Sequence, residues 1–147
     1  MPRYGVALED AYAAAITTGG HVTRGASRRA KVYDFMFGSD GTPADNIVDL
    51  VMIRHTTAPT STAVVAEALD PADPAAITTA GENVTIEPTF GSESLMELPV
   101  NQRASYRWVA APESELIIPD TANAGIAFRH NGPVAAGNFN MSVHYLE

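Results

Sequence analysis

The chain of 147 residues has no cysteine, a single tryptophan and a single lysine. The absence of cysteine removes disulfides, zinc–thiolate centres and cysteine nucleophiles from consideration. Long apolar runs are also missing, and nothing approaches the roughly 18 residues that a membrane helix needs. The opening MPRYGVALEDAYAAAI lacks a basic stretch followed by a continuous apolar one. No secretory leader is therefore expected, and the chain is expected to be made in a cytosol and to stay soluble.

Sequence signatures of catalysis are equally scarce. There is no G-x-G-x-x-G, no P-loop and no H-E-x-x-H, and Gly91-Ser92-Glu93-Ser94 is not a G-x-S-x-G nucleophile elbow. His21, His55, His130 and His144 are scattered without metal-ligand spacing and read as strand or loop residues. A glycosidase needs only two carboxylates, but fifteen acids follow residue 31 and nothing nominates a pair. Asp70 and Asp73 could face a calcium ion, yet Asx turns in a proline-fixed loop account for them. No enzymatic activity, cofactor or metal is expected.

The formal net charge of -8 argues against general binding to nucleic acid or to an anionic membrane. Positive charge is concentrated early. Residues 1–31 hold Arg3, Arg24, Arg28, Arg29 and Lys31 against Glu9 and Asp10, and the remainder holds four arginines against fifteen acids. The cluster Arg24, Arg28, Arg29, Lys31 is compatible with a solvated strand edge or with docking onto an acidic partner protein, where guanidinium groups pair bidentately with carboxylates.

What the chain does have is frequent punctuation. Ten prolines and eleven glycines, with many Ser and Thr, break it at the short intervals of an all-β sandwich or barrel. Residues 30–38 and 46–56 read as strong strands, joined by the turn residues Ser39-Asp40-Gly41-Thr42-Pro43. The linker is long for a tight hairpin, and a symmetric hairpin would set Asp34 against Asp49, a repulsive pairing. Both points place the two strands in different sheets. Residues 5–18 fit a strand or a helix, with strand preferred. Proline density makes residues 57–82 an excursion with one short element near 63–68. Further strands are expected at 83–87, 95–100, 103–110, 115–118, 125–130 and 137–146. In the last, Phe139, Met141, Val143 and Tyr145 alternate with Asn138, Asn140, Ser142 and His144. About eight strands with long crossing connections fit a jelly-roll-like antiparallel β-sandwich. Residues 29–147 would form the sandwich and residues 1–28 an N-terminal arm or first strand. Trp108 shares a face with Ala104 and Tyr106 and reads as core.

Several pieces occur in a telling order: Pro2-Arg3-Tyr4-Gly5-Val6, Arg29-Ala30-Lys31-Val32-Tyr33 leading to Gly38, and Ile53-Arg54-His55-Thr56-Thr57. They are followed by Leu69-Asp70-Pro71-Ala72-Asp73-Pro74-Ala75-Ala76, Asn101-Gln102-Arg103-Ala104-Ser105-Tyr106-Arg107-Trp108, Ile117-Ile118-Pro119 and Gly125-Ile126. Over nearly its whole length this pattern resembles the small capsid decoration, or cement, proteins of tailed bacteriophages. The resemblance implies a non-enzymatic virion protein, made in the host bacterial cytoplasm and seated on the outer capsid surface. Such a protein is often a homotrimer and clamps neighbouring subunits of the major capsid protein. Similar sandwiches occur in tails and head fibres, and jelly rolls also serve as carbohydrate-binding modules, so these are the alternative readings.

On that reading Tyr33, Phe35 and Phe37 face the core, while Val32 and Met36 lie under the N-terminal segment or against a neighbouring copy. Asp34 and Asp49 are edge charges or partners of arginines, with Arg103 and Arg107 nearest by type. The expected partner interface is Arg24, Arg28, Arg29, Lys31, Val32, Asp34 and Met36. Removing residues 1–20 is expected to leave a folded domain that no longer binds shells.

Overall fold

The computed structural model describes residues 1–25, 28–131 and 137–147. These form twelve strands: β1 (Arg3–Ala11), β2 (Thr18–Thr23), β3 (Lys31–Asp40), β4 (Ile47–His55), β5 (Thr60–Val64), β6 (Glu67–Ala68), β7 (Thr79–Ile86), β8 (Phe90–Asn101), β9 (Tyr106–Val109), β10 (Leu116–Ile117), β11 (Gly125–Asn131) and β12 (Asn138–Leu146). The first sheet runs β10-β3-β12-β1-β6, with β9 also on β3, and the second runs β5-β7-β2-β11-β4-β8. All pairings are antiparallel.

The expected class is the observed one, an antiparallel β-sandwich. Its winding is that of a jelly roll: β1, β3, β9 and β12 lie in the first sheet and β2, β4, β8 and β11 in the second. The chain changes sheet at every step among these eight except from β4 to β8, which pair directly. The long Ser39–Pro43 linker carries the chain from β3 across to β4, so Asp34 and Asp49 lie in different sheets. The proline-rich excursion supplies β5 and β6, both at sheet edges, where a proline-broken chain can pair on one side only. It also carries β7 to the flank of β2.

The clean alternation of β12 follows from burial on one face. Phe139, Met141, Val143 and Tyr145 are buried while Asn138, Asn140, Ser142 and His144 are half-buried on the other side. Between the sheets, Phe35 and Phe128 stack with ring centroids 4.9 Å apart and planes 2° from parallel. Tyr106 and Trp108 pack against this core from β9, as the sequence suggested for the tryptophan.

Residues 3–23 are built into the two sheets. β1 pairs with β12 through nine consecutive partners, from Arg3↔Leu146 to Ala11↔Asn138, and β2 lies between β7 and β11. Of the two alternatives the sequence left open, the strand is the one realised. Tyr4, Val6, Leu8, Tyr12 and Val22 belong to the main core, so the segment contributes apolar surface that an arm would have left in water. Two carboxylates fasten neighbouring segments. Glu87 accepts hydrogen bonds from the backbone N–H and the hydroxyl of both Thr17 and Thr18 at the start of β2. Glu147 does the same for Thr78 and accepts the N–H of Ile77 as well. Burial works against the charge of Glu87, but the donors from Thr18 and Thr17 prevail and hold its pKa below the ordinary value.

Candidate functional site

The face of the first sheet that points away from the core is concave. Antiparallel register arranges its side chains in rows. Ala7, Ser142, Met36 and Arg107 form one row, and Glu9, Asn140 and Gly38 form the next. Gly5, His144, Asp34 and Val109 form a third. The floor is low because so many of these residues are small. A Cβ on Gly38 would meet only the Ser105 hydroxyl, at 3.8 Å. Gly5 is needed for a different reason: a Cβ there would come within 2.9 Å of the His144 ring, which lies across it. The resulting concavity, bounded by Glu9, Glu82, Ser105, Tyr106, Arg107 and Asn140, measures about 630 Å³. A second hollow of about 460 Å³ opens beside it under Val64, Val65 and Leu69, and shares Ala7 and Ser142 with the first. Together they make one trough.

At one side of the trough sits Asp34, 3% exposed. Arg107 reaches across from β9 and pairs with it bidentately, Nε to Oδ1 at 3.0 Å and Nη2 to Oδ2 at 2.7 Å. His144 Nδ1 lies 3.2 Å from Oδ2. The Arg107 hydrogen bonds, helped by His144 and opposed by burial, hold the Asp34 carboxyl below its ordinary pKa. Pairing with an arginine was one of the two roles the sequence offered for Asp34, and Arg107 was one of the candidates.

The neighbouring Val32 is a correction. It is fully buried in the main core, not at an interface. The pairing of β3 with β12 slips by one residue, with His144 opposite Asp34 but Tyr145 opposite Val32. Tyr33 is the extra residue. Such a bulge reverses the alternation beyond it, so Val32 joins Phe35 and Phe37 on the core side. Tyr33, expected in the core, turns outward instead and stacks on His144 at 6.1 Å. Met36, on the unbulged side, faces the trough.

The basic residues divide. Arg24 is tied to Asp120 at 2.5 Å. Arg28 and Arg29 are exposed and lead into Lys31, which lies in one row with Leu146 and Arg3 at the end of the first sheet. None of Arg3, Arg28, Arg29 and Lys31 forms an ion pair among the described residues. The same end carries exposed apolar side chains. Met1 is 71% and Leu69 51% exposed, and the Leu69 N–H donates to the Arg3 carbonyl. Ile77, 37% exposed, is held there by Glu147, whose own N–H donates to Pro2. The result is a pole where basic and apolar side chains stand out, with the carboxylates of Asp73 and Glu147 near Arg28 among them, on an otherwise acidic molecule.

Three histidines are buried. His21 shares hydrogen bonds of 2.8 Å with Thr23 and with Ser61, and Thr23 lies 3.3 Å from His55 Nε2. His130 packs edge-on against Tyr12, with ring centroids 4.9 Å apart. Among the described residues no three His, Cys, Asp or Glu side chains converge as metal ligands.

Acidic groups also meet where β1 approaches β7. Burial raises the Asp10 carboxyl to about 6, with Glu82 and Glu87 adding repulsion and the N–H groups of Val84 and Ala11 partly offsetting both. A carboxyl whose folded pKa is raised stabilises the fold only at low pH, and that contribution is lost as pH rises through about 6. Asp10→Asn is therefore expected to stabilise the protein at pH 7.5 by about 1 kcal/mol, or roughly 2–4 °C in melting temperature. The gain should vanish at pH 4. Thermal melts of both proteins at the two pH values measure it, and an equal gain at both would refute the electrostatic cause.

Asn140, Ser142, Ala7 and Gly38 were not singled out from the sequence as site residues. Their signal was the polar half of the β12 alternation combined with small residues on β1 and β3, which becomes a site only once the register sets them side by side. No family model, curated protein or solved structure matches the chain.

Proposed function

We propose that this is a non-enzymatic virion structural protein that decorates the outer surface of a phage capsid and cements neighbouring major capsid protein subunits. The observation that carries the reading is the basic, apolar-studded pole of Arg3, Arg28, Arg29, Lys31, Met1, Leu69 and Ile77. Guanidinium groups without an internal partner, set among exposed apolar side chains, suit an acidic protein surface with apolar pockets. The rest of the chain is strongly acidic, which orients the molecule on approach and keeps the opposite surface from binding in its place. The jelly-roll sandwich supplies a stiff body for such a contact, and repetition over a closed shell lets each contact be weak. A homotrimer at a threefold position of the shell would present three such poles at once.

The test is co-sedimentation with expanded heads that lack the protein. The wild-type chain is expected to pellet at a saturating, symmetric stoichiometry. The triple variant Arg28→Glu, Arg29→Glu, Lys31→Glu is expected to remain in the supernatant at physiological salt while melting as the wild type does. Wild-type protein that never pellets, or a triple variant that pellets equally well, would overturn the reading. Light scattering on the free protein decides between monomer and trimer.

A further inference from the structure

The trough on the first sheet meets the basic pole only at Leu69, and its first hollow has a chemistry of its own. Two of its floor residues are poised for a guest. Asn140 and Ser142 are half-buried, and among the described residues neither side chain makes a hydrogen bond. Polar groups set into a concavity without protein partners are unfavourable unless water or a ligand completes them. Asn140 presents a donor and an acceptor in one plane, and Ser142 can act as either.

The flanking groups are held in position. Glu9 Oε1 accepts from Asn138 Nδ2 at 2.7 Å, and the Glu9 N–H donates to Glu82 Oε2 at 2.8 Å. Arg107 is fixed by its two bonds to Asp34. Planar carboxylate, amide and guanidinium groups at fixed spacing are what vicinal hydroxyls require, since each such pair can give and accept hydrogen bonds together. Met36 adds apolar surface beside them, suited to the C–H face of a sugar ring. The volume falls within the range of small-molecule sites. The trough also continues into the second hollow, which gives it the length for more than one ring.

Charge narrows the class. The charge of Arg107 is neutralised by Asp34, whereas Glu9 and Glu82 stand side by side, so a phosphate, sulfate or uronate would be repelled. We propose that the outer face of the first sheet binds an uncharged oligosaccharide, with Asn140 and Ser142 as the central hydrogen-bonding groups and Glu9 and Arg107 flanking them. The first hollow contains none of the pole residues assigned to shell binding, and either reading can fail without the other.

The experiment is amide NMR on the full chain, titrated with cellohexaose, mannohexaose, xylohexaose and maltohexaose, and with a sulfated heparin hexasaccharide as the charged comparison. At least one neutral oligomer is expected to shift the amides of Ala7, Gly38, Asn140 and Ser142 while leaving those of Arg28 and Lys31 in place. Asn140→Ala should weaken that binding about tenfold or more. Gly38→Leu, whose side chain would occupy the open floor, should abolish it, and both variants should melt close to wild type. No shift at those amides with any neutral oligomer at about 10 mM would overturn the proposal. So would tighter binding of the heparin oligomer, or unchanged affinity in both variants.

Discussion

A chain lacking residues 1–23 is expected to be unfolded. The deletion removes β1 from between β12 and β6 and β2 from between β7 and β11, stripping one flank of the first sheet and splitting the second near its centre. It also strips Tyr4, Val6, Leu8, Tyr12 and Val22 from the main core. Burying a side chain of this size is worth about 1.5–3 kcal/mol. Five of them together rival the roughly 5–15 kcal/mol net stability of a whole domain, before the lost ladder hydrogen bonds are considered. Circular dichroism and amide dispersion should show a disordered chain with no cooperative melt. A folded, shell-free product, as an arm would leave behind, would contradict the strand pairings described above.

The second large effect is acid lability centred on histidine. Burial lowers His21 to about 4, with repulsion from His55 adding to it. Burial likewise takes His130 to about 4, where attraction from Glu87 only partly opposes it. His55 is lowered as well, chiefly by burial. In the unfolded chain these rings take up protons near pH 6.5. The folded state binds fewer protons between 6.5 and 4, so its stability is fully present above that window and is lost as pH falls through it. Each ring lowered to about 4 contributes on the order of 3 kcal/mol to this loss. Asp10 acts in the opposite sense over part of the same range and tempers it. Asp34 and Glu87, whose pKa values are lowered, give up their contributions only below the ordinary carboxylate range. Denaturant midpoints measured from pH 7 to pH 4 should therefore fall steeply, and His130→Leu should reduce the slope by roughly a third to a half. A profile that stays flat to pH 4.5 and then drops would assign acid unfolding to the carboxylates instead.

The architecture was largely legible because it depends on periodicity. β12 alternates without interruption, and the prolines of the excursion fall where only edge strands can form. The placement of β3 and β4 in different sheets followed from linker length and from the repulsion of Asp34 and Asp49. What could not be read was register. Nothing in Lys31-Val32-Tyr33-Asp34 announces a bulge, because the slip is fixed by pairing with His144 and Tyr145, more than a hundred residues away. That one residue sent Val32 inward and Tyr33 outward. For the N-terminal segment both an arm and a strand stood open: charge and glycines spoke for the arm, the alternation of Val6 and Leu8 for the strand, and the strand is what β1 forms. The trough was hidden for a related reason. Its floor comes from β1, β3, β9 and β12, and no two strands that pair across it are neighbours in the chain.

The pairing of β1 with β12 has a kinetic consequence. It joins Arg3 to Leu146 and Ala11 to Asn138, contacts spanning nearly the full chain, and most other ladders in the sandwich are non-local too. A topology of this kind must close long loops before its contacts begin to compensate the entropy lost, which places folding in the slow, millisecond-to-second regime of β-sandwiches. During synthesis β1 has only the two-residue ladder with β6 until the last strand emerges. The edge of β1 that β12 will occupy stays unpaired for that interval, when it is most open to pairing with another nascent chain. The yield of folded protein in a cell should thus be governed by how quickly the final strand is delivered, more than by the stability of the finished sandwich.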